Sequence, residues 1–128
     1  MLAVDTDVIV RLLAADHPEQ SPRARGFIEA NPVWIATTVL LEAEWVLRAV
    51  YRFAPTAVGA ALRALAGLPT VTLEHPGRVA TALGWLDAGL DFADALHLAA
   101  AGGQAGFVTF DARLIAAAPA DGPPVRAP

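Results

Sequence analysis

Leu2-Ala3-Val4-Asp5-Thr6-Asp7-Val8-Ile9-Val10-Arg11-Leu12-Leu13 reads as a buried strand, a turn and a helix. The short apolar run suits a strand. Thr6 or Asp7 is the expected cap of the helix that carries Val8, Ile9 and Leu12. Asp5 then falls at the carboxyl end of the strand. The same order recurs along the chain. Val33-Trp34-Ile35-Ala36 is a strand candidate, and Thr37 or Thr38 is placed to cap a helix running to about Tyr51. Thr70-Val71-Thr72-Leu73 alternates as a strand, and Phe107-Val108-Thr109-Phe110 is a further one with Asp111 directly after it, capping a helix around Leu114-Ile115. Between these lie helices opened by Ser21-Pro22, Pro55-Thr56 and Pro76. A short edge strand is expected at Val125. Strands alternating with helices imply an α/β fold with a mostly parallel sheet covered on both faces, a three-layer α/β/α arrangement. In such sheets ligands bind at the carboxyl ends of the strands.

Leu90-Asp91-Phe92-Ala93-Asp94-Ala95-Leu96-His97-Leu98-Ala99-Ala100-Ala101 opens another helix, with Asp91 as cap and Asp94 in its first turn. Ala95, Leu98, Ala99 and Ala101 recur at helical spacing and would bury one face. Acids at the positive end of a helix dipole are stabilised by about 0.3–1 kcal/mol, so both have a purely structural explanation. Asp5 and Asp111 have one too, as caps. On the helix after Thr37, Val39, Ala43, Val46, Leu47 and Val50 form the expected apolar face. Glu44 and Arg48 are an i,i+4 surface pair, whereas Glu42 has no cation on its own helix. Four acids (Asp5, Glu42, Asp94 and Asp111) thus stand at or near positions where strands end and helices begin. Clustered carboxylates raise one another's pKa unless a cation is present. An oxygen-only donor set suits Mg²⁺ or Mn²⁺.

Composition narrows the classes. At 128 residues the chain is expected to form one domain, residues 1–128, with no internal repeat or long linker. All nine basic residues are arginine, which excludes lysine Schiff-base and lysine–phosphate chemistry. There is no cysteine, so disulfides and thiolate catalysis are excluded as well. The net charge of −4 argues against a generically basic nucleic-acid binder. A bound divalent cation would reverse the local sign. A hydrophobic fraction of 55% and mean hydropathy of +0.47 point to a dense core or to apolar surface that meets a partner. No uncharged run reaches the ~18–20 residues of a membrane span. Met1 to Asp7 lacks the basic and apolar regions of a secretory leader, which makes the cytoplasm the expected compartment.

Val4 to Arg11, Leu41 to Arg48, Asp91 to His97 and Val108 to Asp111 resemble, in order and spacing, the acidic motifs of PIN-domain ribonucleases, and more narrowly VapC-type toxins of toxin–antitoxin systems. The resemblance puts the family's four acids on Asp5, Glu42, Asp94 and Asp111. It implies that Asp5 and Asp94 are the principal metal ligands, completed by Glu42 and Asp111. Thr6 and Thr109 match hydroxyl positions that would orient Asp5 and Asp111, and Asp91 has a supporting place. Asp7 stands where the family usually has Asn, which adds a negative charge. The implied activity is Mg²⁺-dependent endonucleolytic cleavage of RNA by metal-activated water, with Mn²⁺ as a substitute. The implied partners are RNA, a cognate antitoxin that covers an apolar groove, and a second copy in a homodimer. His97, one turn beyond Asp94, is a candidate base or ligand, or else a packing or hydrogen-bonding histidine; His17 and His75 precede prolines and read as loop residues. Arg11, Arg48 and Arg113 lie near the motifs, as phosphate-steering or solvated cations. Two other readings compete. Asp5-Thr6-Asp7-Val8 also resembles haloacid-dehalogenase-type phosphatases, with Asp5 as nucleophile, although that chemistry normally recruits a lysine. A non-catalytic PIN-like interaction module is the other.

Overall fold

The computed structural model describes residues 1–128, which divide into two compact units, Met1–Pro76 and Gly77–Pro128. The first holds a parallel sheet of β1 (Leu2–Ala3), β2 (Val33–Ile35) and β3 (Val71–Leu73), in that order. Its registers pair Leu2 with Val33, Ala3 with Trp34, and Ile35 with Leu73. Parallel neighbours need long crossovers. Helices α1 (Thr6–Ala14) and α2 (Gln20–Ala30) fill the first crossover; α3 (Thr37–Ala49) and α4 (Pro55–Ala66) fill the second. The core of this unit is Ile9, Ile28, Val33, Ile35, Leu40, Leu47, Val58 and Leu65, all essentially inaccessible. The central strand is the buried one. Leu2 on β1, expected to be buried, is 55% exposed because β1 is the edge of this sheet; only Val4, just beyond it, is buried.

Several helix starts differ from expectation, each for a physical reason. The cap of α1 is Asp5, the structural role open to that acid, and not Thr6 or Asp7. Helix α2 is capped by His17: its Nδ1 accepts from the backbone N–H groups of Gln20 (2.9 Å) and Glu19 (3.3 Å). Ser21, expected to open the helix, accepts from the His17 N–H at 3.1 Å and returns its own N–H to the His17 carbonyl at 3.1 Å. His17 lies in a loop, as expected, and also caps the helix that follows it. Neither Thr37 nor Thr38 caps α3. The Thr37 N–H is taken by Glu74 Oε1 at 3.0 Å, a side chain from beyond β3. Helix α4 runs from Pro55 as expected.

The second unit contains most of α5 (Pro76–Asp87), α6 (Phe92–Ala100), β4 (Phe107–Val108), α7 (Ala112–Ala117) and β5 (Val125–Arg126). β4 and β5 pair in parallel, Phe107 with Val125, which gives the edge strand expected at Val125. Gly89, at φ +104, makes the left-handed turn between α5 and α6 that a side chain would strain. Phe92, Ala95, Leu96 and Leu98 are the buried residues of α6, with Ala99 and Ala101 partly exposed. Trp85 of α5 is buried and donates Nε1–H to Asp121 Oδ1 at 3.0 Å. Gly122 passes so close that an added Cβ would lie 3.2 Å from the indole. The strand expected through Phe110 stops at Val108, and Phe110 is 89% exposed. The elements and their parallel pairing are those of the three-layer α/β/α class. No helix is long and apolar enough to cross a membrane.

Candidate active site

In the first unit the site grows from the end of β1. The Val4 N–H continues the ladder to the Trp34 carbonyl (3.2 Å), and Asp5 follows at once. Its Oδ1 accepts from the Thr6 N–H at 2.7 Å while its carbonyl accepts from Val8, so strand end and helix start meet in one carboxylate. Thr6 is buried, and its Oγ1 donates to Oε1 of Glu42 on α3. The Thr6 hydroxyl therefore orients Glu42, not Asp5 as expected. Glu42 itself is exposed on α3, and the hydroxyl is its hydrogen-bond partner from another helix. Asp7 is exposed and lines a groove with Asp5.

The neighbouring Glu44 corrects the expectation of a surface pair with Arg48. It is 3% exposed, and Arg48 Nε donates to its Oε1 at 2.8 Å. Ala43, Leu40 and Leu47 share the buried face with it, whereas Val39 and Val46 are partly exposed and Val50 is exposed. The helix is turned by about one position relative to the face expected from the apolar residues alone. That rotation leaves Glu42 outside and puts Glu44 inside. The buried charge is held by its guanidinium partner. Arg11 is engaged too, donating to Gln20 Oε1 (2.7 Å) and Tyr51 Oη (3.3 Å) and lying 3.9 Å from Asp16.

In the second unit Asp91 caps α6 by accepting from the Asp94 N–H at 3.2 Å. Asp111 caps α7 through Oδ1, which accepts from Arg113 (2.9 Å) and Leu114 (3.1 Å). Thr109 Oγ1 accepts from the Asp111 N–H at 3.0 Å, so it positions that acid through the backbone rather than through the carboxylate. The Asp94 carboxyl is raised above its ordinary 3.8, first by burial, then by the negative charges of Asp91 and Asp111, with His97 opposing. His97 is exposed, so it is not the packing histidine of one reading. The structure thus brings Asp5, Thr6 and Glu42 together in one unit, and Asp91, Asp94, His97 and Asp111 into mutual electrostatic range in the other.

These donors test the chemistry of a metal centre. All the acids offer oxygen, and the repulsion felt by Asp94 is the strain a cation relieves. No three His, Asp or Glu side chains are closed into a cage that would hold a metal. Mg²⁺ does not require one, because it keeps several waters and takes one or two carboxylates. The donor set fits a hydrated divalent cation and not a closed structural site.

The profile of the PIN domain family matches residues 2–119. The chain belongs to the PIN domain family. No curated protein matches it. PIN domains are generally a metal-dependent nuclease fold, typically hydrolases acting on nucleic acid and generally binding divalent metals. The family match leaves the dehalogenase-type reading of Asp5 without support. The Thr6–Glu42 bond and the buried Glu44 were not readable from the sequence of this PIN domain. The 3.6-residue period marks α3 but places its face only to within a residue, and one residue decides which glutamate is inside.

Proposed function

We propose that this PIN domain is a Mg²⁺-dependent endoribonuclease, the toxin of a toxin–antitoxin module. On this reading residues 1–128 act as a single PIN-like domain in which Asp5, Glu42, Asp94 and Asp111 serve one scissile phosphate. The observation that carries it is the PIN family match over residues 2–119, beside which the Asp94 carboxyl is raised by burial, Asp91 and Asp111. Carboxyls perturbed by burial and by neighbouring acids gather at functional sites, which supports this reading. Asp5 and Asp94 would hold the cation, with Glu42 and Asp111 completing the site. A divalent cation held by these residues would supply positive charge that offsets the repulsion and stabilises charge developing at phosphorus. Mn²⁺ would substitute.

The protein's own groups supply orientation. Thr6 fixes one oxygen of Glu42, and the N–H groups of Arg113 and Leu114 fix one oxygen of Asp111. Burial, Asp91 and Asp111 raise the Asp94 carboxyl, so it holds a proton more readily than a free aspartate does. Exposed Trp45 and Val50 on α3, together with Phe110, support a protein partner, in this reading a cognate antitoxin and a second copy in a homodimer, in the cytoplasm.

The deciding experiment incubates the purified chain with total RNA, in Mg²⁺ and in chelator, alongside Asp94→Asn. Discrete fragments with 5′-phosphates that require metal and vanish in the variant are expected. Equal cleavage by Asp94→Asn would overturn the assignment of the site. A folded, antitoxin-free protein that cuts no RNA would leave the interaction module in its place.

A further inference from the structure

Beside Asp5, in the first unit, lies an open groove of about 490 Å³ between α1 and α2, lined in part by Asp5, Asp7, Arg11, Arg23 and Phe27. Its size is within the ~300–1,000 Å³ typical of small-ligand sites. Its lining is mixed in a specific way. Two carboxylates balance two guanidiniums, so it is no general trap for anions. Arg11 is already engaged by Gln20, Tyr51 and Asp16. Arg23 is exposed, and its guanidinium has no hydrogen-bond or ion-pair partner. Phe27, four residues later on α2, is 38% exposed. Residues four apart on a helix stand one above the other, so a free cation and an open aromatic face share one wall. Neither is needed where it is for the core, which Ala24 and Ile28 reach from the same helix.

A ligand complementary to this wall carries a negative charge next to a flat apolar ring. We propose that the α1–α2 groove is a subsite for one nucleotide of single-stranded RNA, with Arg23 on its phosphate and Phe27 stacked on its base. Aromatic stacking beside a basic group is the usual means of holding a single strand without reading its sequence. The groove opens onto Asp5, so a nucleotide held there lies beside the candidate reaction centre. The inference rests on the ribonuclease reading and assigns one side of its substrate path.

The test measures binding apart from cleavage. Fluorescence anisotropy with a labelled single-stranded RNA of mixed sequence, in chelator, gives an affinity and its salt dependence. Phe27→Ala weakens binding by about fivefold or more, and Phe27→Tyr restores it. Arg23→Ala lowers the slope of log affinity against log salt by about 0.7, and Arg23→Lys retains it. Wild-type affinity and salt slope in both alanine variants overturn the subsite, even where the wild type cleaves RNA, and a changed oligomeric state in those variants would mark the groove as a protein interface instead. A wild type that binds no RNA overturns it as well, whereas loss of cleavage in Asp94→Asn with binding intact leaves both proposals standing.

Discussion

Asp111 does two jobs on the proposed reading, and they can be separated. As a cap, its Oδ1 accepts from two backbone N–H groups at 2.9 and 3.1 Å, at the start of a helix of only six residues whose buried anchor is Leu114. Removing such a cap costs about 0.5–2 kcal/mol, with about 1 typical. For a chain of this length that lowers Tm by about 3–5 °C. Asp111→Ala therefore loses both stability and activity. Asp111→Asn keeps an oxygen in the same place, and asparagine caps about as well as aspartate. It also removes a negative charge that acts on Asp94. Its Tm should match or slightly exceed the wild type's while RNA cleavage falls by about 10–100-fold, the scale of losing a group that supports a metal ligand. Differential scanning fluorimetry and a gel-based cleavage assay on the same preparations read both effects. An Asn variant that cleaves like the wild type would refute the reasoning: Asp111 would be a cap and nothing more.

Three further outcomes follow from the geometry. A carboxyl with a raised folded-state pKa binds more protons folded than unfolded, so Asp94 makes stability fall as pH rises from about its ordinary 3.8 through the raised value. Urea titrations against pH without metal should show that fall flattened in Asp94→Asn, and added Mn²⁺ should raise Tm in the wild type but not in the variant. Thr6→Val replaces a buried hydroxyl by a methyl and frees Glu42. Because Glu42 is exposed and water takes over its oxygen, the loss is at the lower end for a charged hydrogen bond, about 1.5 kcal/mol. Its kcat should fall with KM unchanged, and an unchanged kcat would remove Glu42 from the machinery. Arg48→Ala takes from the buried Glu44 the guanidinium that pairs with it, and Glu44→Met replaces the charge with apolar bulk. Denaturant unfolding should find the first destabilising by up to about 3 kcal/mol, tempered by the 41% exposure of Arg48, and the second close to neutral.

Order and type of the elements were legible because strand-to-helix junctions carry local signals. Asp111 capping α7, Pro55 opening α4 and Asp91 capping α6 all follow from side chains within three residues of the helix start. What escaped the sequence came from partners distant along the chain. Glu74 caps α3 from 37 residues away, and Thr6 reaches Glu42 across 36. No local pattern announces either bond. The exposure of Leu2 was hidden for a related reason: an apolar strand reads the same at the edge of a sheet as at its centre. Spacing separates Glu42 from Glu44 only by the Arg48 one turn beyond Glu44, and the resemblance decides between them. The structure bears on that choice physically, since Glu44 is occupied by Arg48 and Glu42 stands open to solvent.

Capping has a consequence for denticity. Asp5 and Asp111 each commit Oδ1 to backbone N–H groups, and Asp91 commits Oδ2. One oxygen of each carboxylate is left without such a bond. A carboxylate tethered in this way approaches a cation through a single atom. Calcium sites lean on carboxylates that grip with both oxygens across a large, loose coordination sphere, whereas magnesium takes single oxygens in a tight octahedron filled out by water. In the proposed site, the bonds that begin the helices at Asp5 and Asp111 would therefore favour an ion that takes single oxygens from those two acids.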